Sequence, residues 1–103
     1  MPIAKSELKI QTAILRKLRT SGGLWFKIHD IITKALPDII GCYQGLFIAI
    51  EVKRVGERPT KLQDWVLEQV EKAGGIGIWI DDVKDLDTLL WAKVKQKIKE
   101  MKS

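Results

Sequence analysis

The sequence predicts an α/β domain in which a central mixed sheet is flanked by helices. Helix-like and strand-like segments alternate along the chain in the order α-β-β-β-α-β-α, which is typical of a sheet with helices packed against it. The chain has 103 residues, of which 46% are hydrophobic and 30% are charged. This length and balance suit one globular domain, and no linker or low-complexity segment divides the chain. We therefore expect residues 1–103 to form a single domain.

The first helix is predicted over residues 6–20. Ser6 is a candidate N-cap, and Gly22-Gly23 ends the helix, because glycine readily adopts the left-handed conformation found just after a helix. Apolar residues recur at helical spacing in this segment, at Leu8, Ile14, Leu15 and Leu18.

Four short apolar segments predict the strands: residues 24–28, a strand that begins at Ile39, residues 46–53 and residues 76–80. A second helix begins at Thr60 and ends before Gly74-Gly75. Asp82 or Asp85 begins a last helix that has an apolar face. Residues 29–36 are expected to form a loop or one helical turn.

The second and third strands form a predicted hairpin that carries three charged residues at one end. A two-residue turn at Gln44-Gly45 places Asp38 directly opposite Glu51, with Cβ atoms about 5 Å apart. Lys53 shares that face because alternate strand residues point the same way, whereas a three-residue turn would shift the alignment. Apart from this end, both faces of the hairpin are apolar. We therefore expect the hairpin to be covered on both sides, with Cys42 buried.

Two opposed carboxylates on a partly buried sheet repel each other, and a divalent cation would relieve that repulsion. Oxygen ligands of this kind suit Mg²⁺ or Mn²⁺. Lys53 could then hold an attacking water or stabilise developing charge on a phosphate. The alternative is that Glu51 and Lys53 pair with each other, or with solvent, at a strand end.

The net charge is +5 at pH 7, and its distribution is uneven. Residues 1–20 and residues 93–103 each carry +4, while residues 21–92 carry −3. An acidic middle in a basic frame is what a metal-dependent nuclease needs, because cations contact phosphates and carboxylates hold the metal. The alternative is that the terminal lysines only keep a small protein soluble.

Several classes of protein are disfavoured by the composition. No apolar stretch approaches the roughly 20 residues that span a bilayer, and the first ten residues have no apolar signal-peptide core. One cysteine, Cys42, excludes an intrachain disulfide, which favours a reducing, cytoplasmic compartment. One histidine, His29, excludes a multi-histidine metal site within one chain.

Five short elements occur in a suggestive order: Glu7, Pro37-Asp38, Glu51-Val52-Lys53, Gln63 and Ala73-Gly74-Gly75. This order resembles the VRR-NUC (virus-type replication-repair nuclease) family of the PD-(D/E)XK nuclease superfamily, over roughly residues 6–81. The resemblance implies a restriction-endonuclease-like core with the element order given above. The chain departs from the family in one respect, because Ala35-Leu36 stands where a glycine often precedes the Pro-Asp pair.

The resemblance also implies roles for these residues. Asp38 and Glu51 would bind Mg²⁺, for which Mn²⁺ would substitute, with help from the backbone carbonyl of Val52. Lys53 would be the catalytic lysine, and Glu7 would reach the metal directly or through water. Gln63 would be a further catalytic residue that orients Lys53 or a phosphate.

Two of these roles have structural alternatives. Thr60-Lys61-Leu62-Gln63 has the pattern of a capping box, which would explain Gln63 without catalysis. For Glu7 the alternative is a favourable interaction with the positive N-terminus of its helix and no role at a metal.

The function implied is Mg²⁺-dependent hydrolysis of DNA phosphodiester bonds by an endonuclease. Its expected setting is phage-type replication and repair, in the cytoplasm of a bacterial or phage-infected host cell, with branched DNA such as Holliday junctions as substrate. We expect a homodimer, since a thin core leaves tryptophans to bury and junction cutting breaks two strands symmetrically. The alternatives are a non-catalytic nucleic-acid-binding module and a structural subunit of a larger nuclease assembly. The residues expected to contact DNA are Arg16, Lys17, Arg19, Arg54, Arg58 and Lys61.

Overall fold

The computed structural model describes residues 2–30 and 32–102, with side chains from Glu7 onward, and these residues form a four-stranded sheet flanked by helices. The elements follow the predicted order α-β-β-β-α-β-α, and the last helix begins with a π-helical turn. In chain order they are α1 (Pro2–Thr20), β1 (Leu24–Lys27), β2 (Ile39–Tyr43), β3 (Leu46–Val52), α2 (Lys61–Lys72), β4 (Ile76–Ile80), a π-helical segment (Leu86–Trp91) and α3 (Ala92–Met101).

The sheet is mixed, with strands in the order β1-β2-β3-β4. The first three strands are antiparallel neighbours, and β4 lies parallel to β3. Tyr43 pairs with Leu46 and Ile39 with Ile50, so the hairpin has the predicted register. Gln44 and Gly45 both have positive φ, 49° and 85°, as the two-residue turn requires.

One face of the sheet forms the main core. Helix α1 and the C-terminal helical segments pack against this face, and all of the largest fully buried side chains belong to this cluster. The buried side chains from the sheet include Ile39, Ile48, Ile50, Val52, Ile76 and Ile80, and those from the helices include Ile14, Leu18, Leu86 and Leu90.

The opposite face is only half covered. Helix α2 packs closely on β3 and β4, where a Cβ at Gly77 would lie 2.5 Å from the carbonyl oxygen of Leu67. A helix about 10–12 Å wide covers roughly two strands spaced 4.8 Å apart, which leaves this side of β1 and β2 open. Leu24, Phe26 and Cys42 are therefore exposed. The predictions that both faces are covered and that Cys42 is buried are wrong.

The observed ends of helix α2 agree with the prediction from the sequence, whereas the observed start of α1 differs from it. Helix α2 has Thr60 and Ala73 as its caps, as predicted. Helix α1 continues through Ser6 to Pro2, so the prediction of Ser6 as N-cap is wrong. Residues 29–30 and 32–36 form a loop. No helix within the described residues is long and apolar enough to cross a membrane.

Candidate active site

Asp38 lies just before β2 and interacts with the edge of β3. If the hairpin ladder continued, Pro37 would face Val52, but a proline has no N–H to donate to the ladder. The Val52 carbonyl therefore lacks a donor there, and the ladder ends at the pair of Ile39 and Ile50. The Val52 N–H donates to Oδ2 of Asp38 at 2.8 Å. The carboxylate thus takes the place of a backbone acceptor and is held beside the neighbouring residue of β3, Glu51.

Glu51 is a buried carboxylate that lacks a full set of partners. Its residue is 3% exposed, Oε2 lies 3.6 Å from Nζ of Lys53, and Oε1 has no hydrogen-bond partner among the described residues. Burial and the nearby charge of Asp38 raise the pKa of Glu51 to about 8, although Lys53 opposes the shift. An unpaired buried oxygen is costly, so this position favours a cation.

Burial raises the pKa of Asp38 as well, while the hydrogen bond from Val52 and the charge of Lys53 lower it. Both carboxylates are therefore destabilised as anions by removal from water. A divalent ion between them would supply the missing positive charge, and two carboxylates plus waters is a common Mg²⁺ ligand set. The donor atoms present fit the predicted metal.

Glu7 lies at the margin of this pair. Partial burial and the charge of Asp38 raise the pKa of Glu7, and Lys53 lowers it, which shows that α1 brings this carboxylate near both groups. Among residues 2–30 and 32–102, no three His, Cys, Asp or Glu side chains are grouped closely enough to hold a metal ion. Contact of Glu7 with a metal, directly or through water, therefore stays a prediction. The helix dipole favours an acidic residue within the first turn of a helix. Because α1 begins at Pro2, Glu7 lies beyond that first turn.

Gln63 forms the capping box that was one of the two sequence interpretations. Its N–H donates to Oγ1 of Thr60 at 3.2 Å, and its Oε1 accepts from the Thr60 N–H at 2.9 Å. Its Nε2 also donates to the carbonyl oxygen of Lys34 at 3.3 Å. Gln63 thereby ties the start of α2 to the loop before Asp38, and orientation of Lys53 by Gln63 stays a prediction.

Asp30 is a residue that the sequence interpretation missed. Its carboxylate accepts hydrogen bonds from the hydroxyl group of Thr33 and from four backbone N–H groups, those of Ile32, Thr33, Ala35 and Leu36. These bonds, the one from the Thr33 hydroxyl above all, hold the pKa of Asp30 well below its usual range. The loop that they order leads directly to Pro37-Asp38. The available signal was an Asx-type pattern, Asp30 followed by Thr33, immediately after a strand.

Gln11 is a second residue that was missed. It lies on α1 one helical turn after Glu7, is 6% exposed, and has a buried Oε1 without a partner in the described part of the chain. Polar residues so deeply buried are normally hydrogen-bonded. The spacing of Glu7, Gln11, Ile14 and Leu18 could have placed it on the core face of α1.

The six predicted DNA-contacting residues are distributed over two regions. Arg54 pairs with Glu57 at 3.1 Å, and Arg58 lies over the ring of Trp79 at 5.9 Å. On α1, Lys17 lies 3.9 Å from Asp87, and Arg19 donates to the carbonyl oxygen of Trp25 at 3.4 Å. Arg16 and Lys61 are exposed.

The described residues form an α/β domain in which two carboxylates and a lysine lie at the end of a four-stranded mixed sheet. A solved structure described as a VRR_NUC domain has a TM-score of 0.70 to this chain and 23% sequence identity, covering 82% of this chain and 94% of that chain. No family model matches the sequence, and no curated protein matches it. The chain has the VRR_NUC fold, which confirms the predicted fold class and supports the resemblance to that family.

Asp30→Ala is expected to loosen the loop before Asp38, because four backbone N–H groups lose their acceptor. Amide hydrogen exchange at residues 32–36 should become faster, while exchange in β3 stays slow. Glu68→Ala, which removes an exposed carboxylate from α2, is the matched control. Unchanged exchange at residues 32–36 in Asp30→Ala would show that the carboxylate does not order the loop.

Proposed function

We propose that this chain is a Mg²⁺-dependent nuclease that hydrolyses DNA phosphodiester bonds. The observation that carries the proposal is Glu51, a buried carboxylate with an unpaired oxygen, next to Asp38 and Lys53. The likeness to a VRR_NUC domain supports it at the level of the fold. If Glu51 had a purely structural role, the free-energy cost of burying its carboxylate would have no evident compensating benefit.

Asp38 and Glu51 would hold the Mg²⁺ ion, with the backbone carbonyl of Val52 as a further ligand and Glu7 reaching it directly or through water. A metal ion held by these residues would supply Lewis-acid chemistry, polarising the scissile phosphate and lowering the pKa of a bound water. The hydrogen bond from Val52 fixes the orientation of Asp38. The chain thus supplies a pre-formed pair of acceptors at a rigid strand end.

Lys53 would position the attacking water and stabilise negative charge on the phosphate. Its side chain is 13% exposed and lies 3.6 Å from Glu51, so its charge acts in a partly dehydrated site, where electrostatic effects are larger. The contact with Glu51 is also the ion pair that the alternative sequence interpretation predicts. The single-turnover cleavage rate of Lys53→Ala separates the role of Lys53 in catalysis from a role as the ion-pair partner of Glu51.

The basic residues after Lys53 would contact the DNA backbone on either side of the cut. Arg54, Arg58 and Lys61 lie on the segment between β3 and α2, close in sequence to the site. Exposed ion pairs such as that of Arg54 contribute about 0–1 kcal/mol, so a phosphate can replace Glu57. Arg16 and Arg19 lie roughly 14 and 18 Å from Glu7 along α1, where they would contact a more distant part of the substrate.

Branched DNA, with the Holliday junction as first candidate, is the substrate that we propose, in phage-type replication and repair in the cytoplasm. Symmetric cutting of a junction requires two sites, and a C₂ homodimer supplies them. The exposed apolar side chains on the open sheet face support self-association. Sedimentation at micromolar concentration should give the mass of two chains, and the mass of one chain, with or without DNA, would contradict the homodimer.

The activity is tested by incubation with labelled junction, flap and duplex DNA, in Mg²⁺ and in chelator. We expect cleavage in Mg²⁺ and in Mn²⁺ and none in chelator, with the junction cut fastest. Binding of all three DNAs without cleavage in either metal would favour the non-catalytic module. Cleavage of flaps by a monomer would support the nuclease activity but contradict the Holliday junction as the substrate.

Glu51→Gln is expected to stabilise the metal-free protein, because the substitution removes a buried charge next to Asp38. At pH 9 in chelator, above the raised pKa of Glu51 of about 8, this carboxyl group is ionised in the folded protein. The gain there should be roughly 2 kcal/mol, because relief from burial and from the charge of Asp38 outweighs the lost contact with Lys53. For a domain of this size this corresponds to a Tm higher by on the order of 10 °C. Glu68→Gln, at an exposed position of α2, should leave Tm unchanged. A lower Tm for Glu51→Gln would show that the carboxylate is structurally required.

A further inference from the structure

We propose that an apolar groove beside Asp38 binds an unpaired nucleobase about two to four nucleotides from the scissile phosphate. The inference rests on the proposed nuclease function and extends it to the form of the substrate. The groove has a volume of about 230 Å³ and lies between the loop before β2, the side of β2 and β3 that faces α2, and helix α2 itself. Its lining includes Leu36, Pro37, Ile40, Phe47, Val66 and Val70.

The groove adjoins the pair of carboxylates formed by Asp38 and Glu51. Asp38, Ile40, Phe47 and Glu51 point to the same side of the sheet, because side chains alternate along each strand in the observed register. Ile40 is two residues from Asp38, or roughly 7 Å along the strand, and Phe47, which pairs with Cys42, is four residues from Glu51, or roughly 13 Å. A stacked DNA strand advances about 3.4 Å per nucleotide, so the groove lies about two to four nucleotides from a phosphate at Asp38 and Glu51.

The lining suits the face of a base. All of its side chains are apolar, and Phe47 and Leu36 remain 47% and 53% exposed, so an aromatic ring and an aliphatic side chain are available at the surface. Bases stack on aromatic side chains in single-stranded nucleic acids regardless of sequence. A base in a paired and stacked duplex presents only its edges, so the groove distinguishes an unpaired base from a paired one.

The position of the groove favours a nucleic acid over an apolar protein segment. The residues that line it are uncharged, and helix α2 carries exposed charges of both signs, those of Lys61, Asp64 and Glu68, so charge does not decide between the two. The groove adjoins a site that would already hold the phosphate of a DNA strand whose base enters it. Bases leave the stack most easily at a flap or a branch point, which agrees with branched DNA as substrate.

Phe47→Ala tests the inference, with Leu89→Ala as the control. Both are large apolar side chains, exposed by 47% and 43%, but only Phe47 lines the groove, and Leu89 lies on the π-helical segment, away from the open sheet face. Phe47→Tyr keeps the ring and serves as a second variant, because Phe47 also packs near Gly75 and its truncation could weaken the fold. The probes are a flap and a paired duplex of the same length, each made with 2-aminopurine two, three or four nucleotides from the cleavage position.

In chelator, wild-type protein should change the 2-aminopurine fluorescence of the flap and leave that of the duplex nearly constant. Phe47→Ala should weaken flap binding by roughly 5- to 150-fold, the range expected for loss of stacking of one base, with unchanged duplex affinity. Phe47→Tyr and Leu89→Ala should behave as the wild type.

Equal flap affinity in Phe47→Ala and wild type, with DNA cleavage intact in Mg²⁺, would overturn the groove assignment alone. Loss of the dimer in Phe47→Ala, with flap and duplex affinities changed equally, would overturn it in favour of a contact between copies of this chain. Failure of the wild type to bind or cut any of these DNAs would contradict both the proposed function and this inference.

Discussion

Asp38→Asn and Glu51→Gln should each abolish cleavage of labelled DNA in Mg²⁺, with a loss of roughly 10³-fold or more, or about 4 kcal/mol of transition-state stabilisation. Each substitution removes one of the two anionic ligands that the metal requires, while the side chain keeps its size. DNA binding should be unchanged or tighter, because each variant also removes negative charge next to a bound phosphate. Single-turnover cleavage and equilibrium binding, measured on the same junction, separate the two effects.

Asp64→Asn and Glu68→Gln provide the matched controls, since both replace exposed carboxylates of α2 by isosteric amides. Both controls should cut at the wild-type rate. Wild-type cleavage by Asp38→Asn or Glu51→Gln would mean that the candidate site is wrong. Loss of cleavage accompanied by unfolding is detected by circular dichroism, and Glu51→Gln is expected to pass this check because it stabilises the metal-free fold.

Lys53→Ala should slow the chemical step by roughly 10²- to 10⁴-fold, the range for a group that positions or deprotonates the attacking water. Its Nζ lies beside Glu51 in a site that is mostly removed from solvent, so no water can replace its charge at the same strength. The affinity for DNA should fall only modestly. Single-turnover rates at saturating enzyme give the chemical step without the contribution of binding.

The control for Lys53 is Lys61→Ala, at an exposed position at the start of α2. This variant should leave the single-turnover rate unchanged and reduce the slope of log K against log salt by about 0.9, as expected for one phosphate contact. If the loss of affinity in Lys53→Ala accounts for its whole loss of rate, Lys53 is a phosphate contact and not a catalytic residue.

The hairpin was the part of the fold that the sequence predicted best. Strand alternation and a two-residue turn at Gln44-Gly45 fix which residues face each other, and a shift by one residue would turn every apolar side chain to the wrong face. The proximity of Asp38 and Glu51 follows from this local information. The hydrogen bond from Val52 to Asp38 does not follow from local information, since it depends on the path of the chain at Pro37.

Features that depend on tertiary packing were predicted less well. The exposure of Cys42 reflects how far helix α2 extends across the sheet, and this cannot be derived from the hairpin itself. The start of α1 before Ser6 and the place of Gln11 in the core likewise depend on neighbouring elements. Asp30 orders its loop through bonds to residues up to six positions away, a pattern that residue spacing only suggests.

Gln63 shows how a local and a functional interpretation can meet at one residue. The capping pattern Thr60-x-x-Gln63 predicted its contacts at the start of α2. Its third hydrogen bond, to the carbonyl oxygen of Lys34, was not predictable from the sequence, because the partner lies 29 positions earlier. This bond connects α2 to the loop that carries Asp38, so Gln63 is placed to support the site from outside it.

Calorimetric titration of Mn²⁺ into the metal-free protein is the most direct test of the claim that Asp38 and Glu51 form a metal site. The wild type should show a specific binding site, and Glu51→Gln and Asp38→Asn should each lose it, while Glu68→Gln keeps it. Mn²⁺ binding of equal strength in wild type and Glu51→Gln, or no binding in the wild type with or without DNA, would contradict the account.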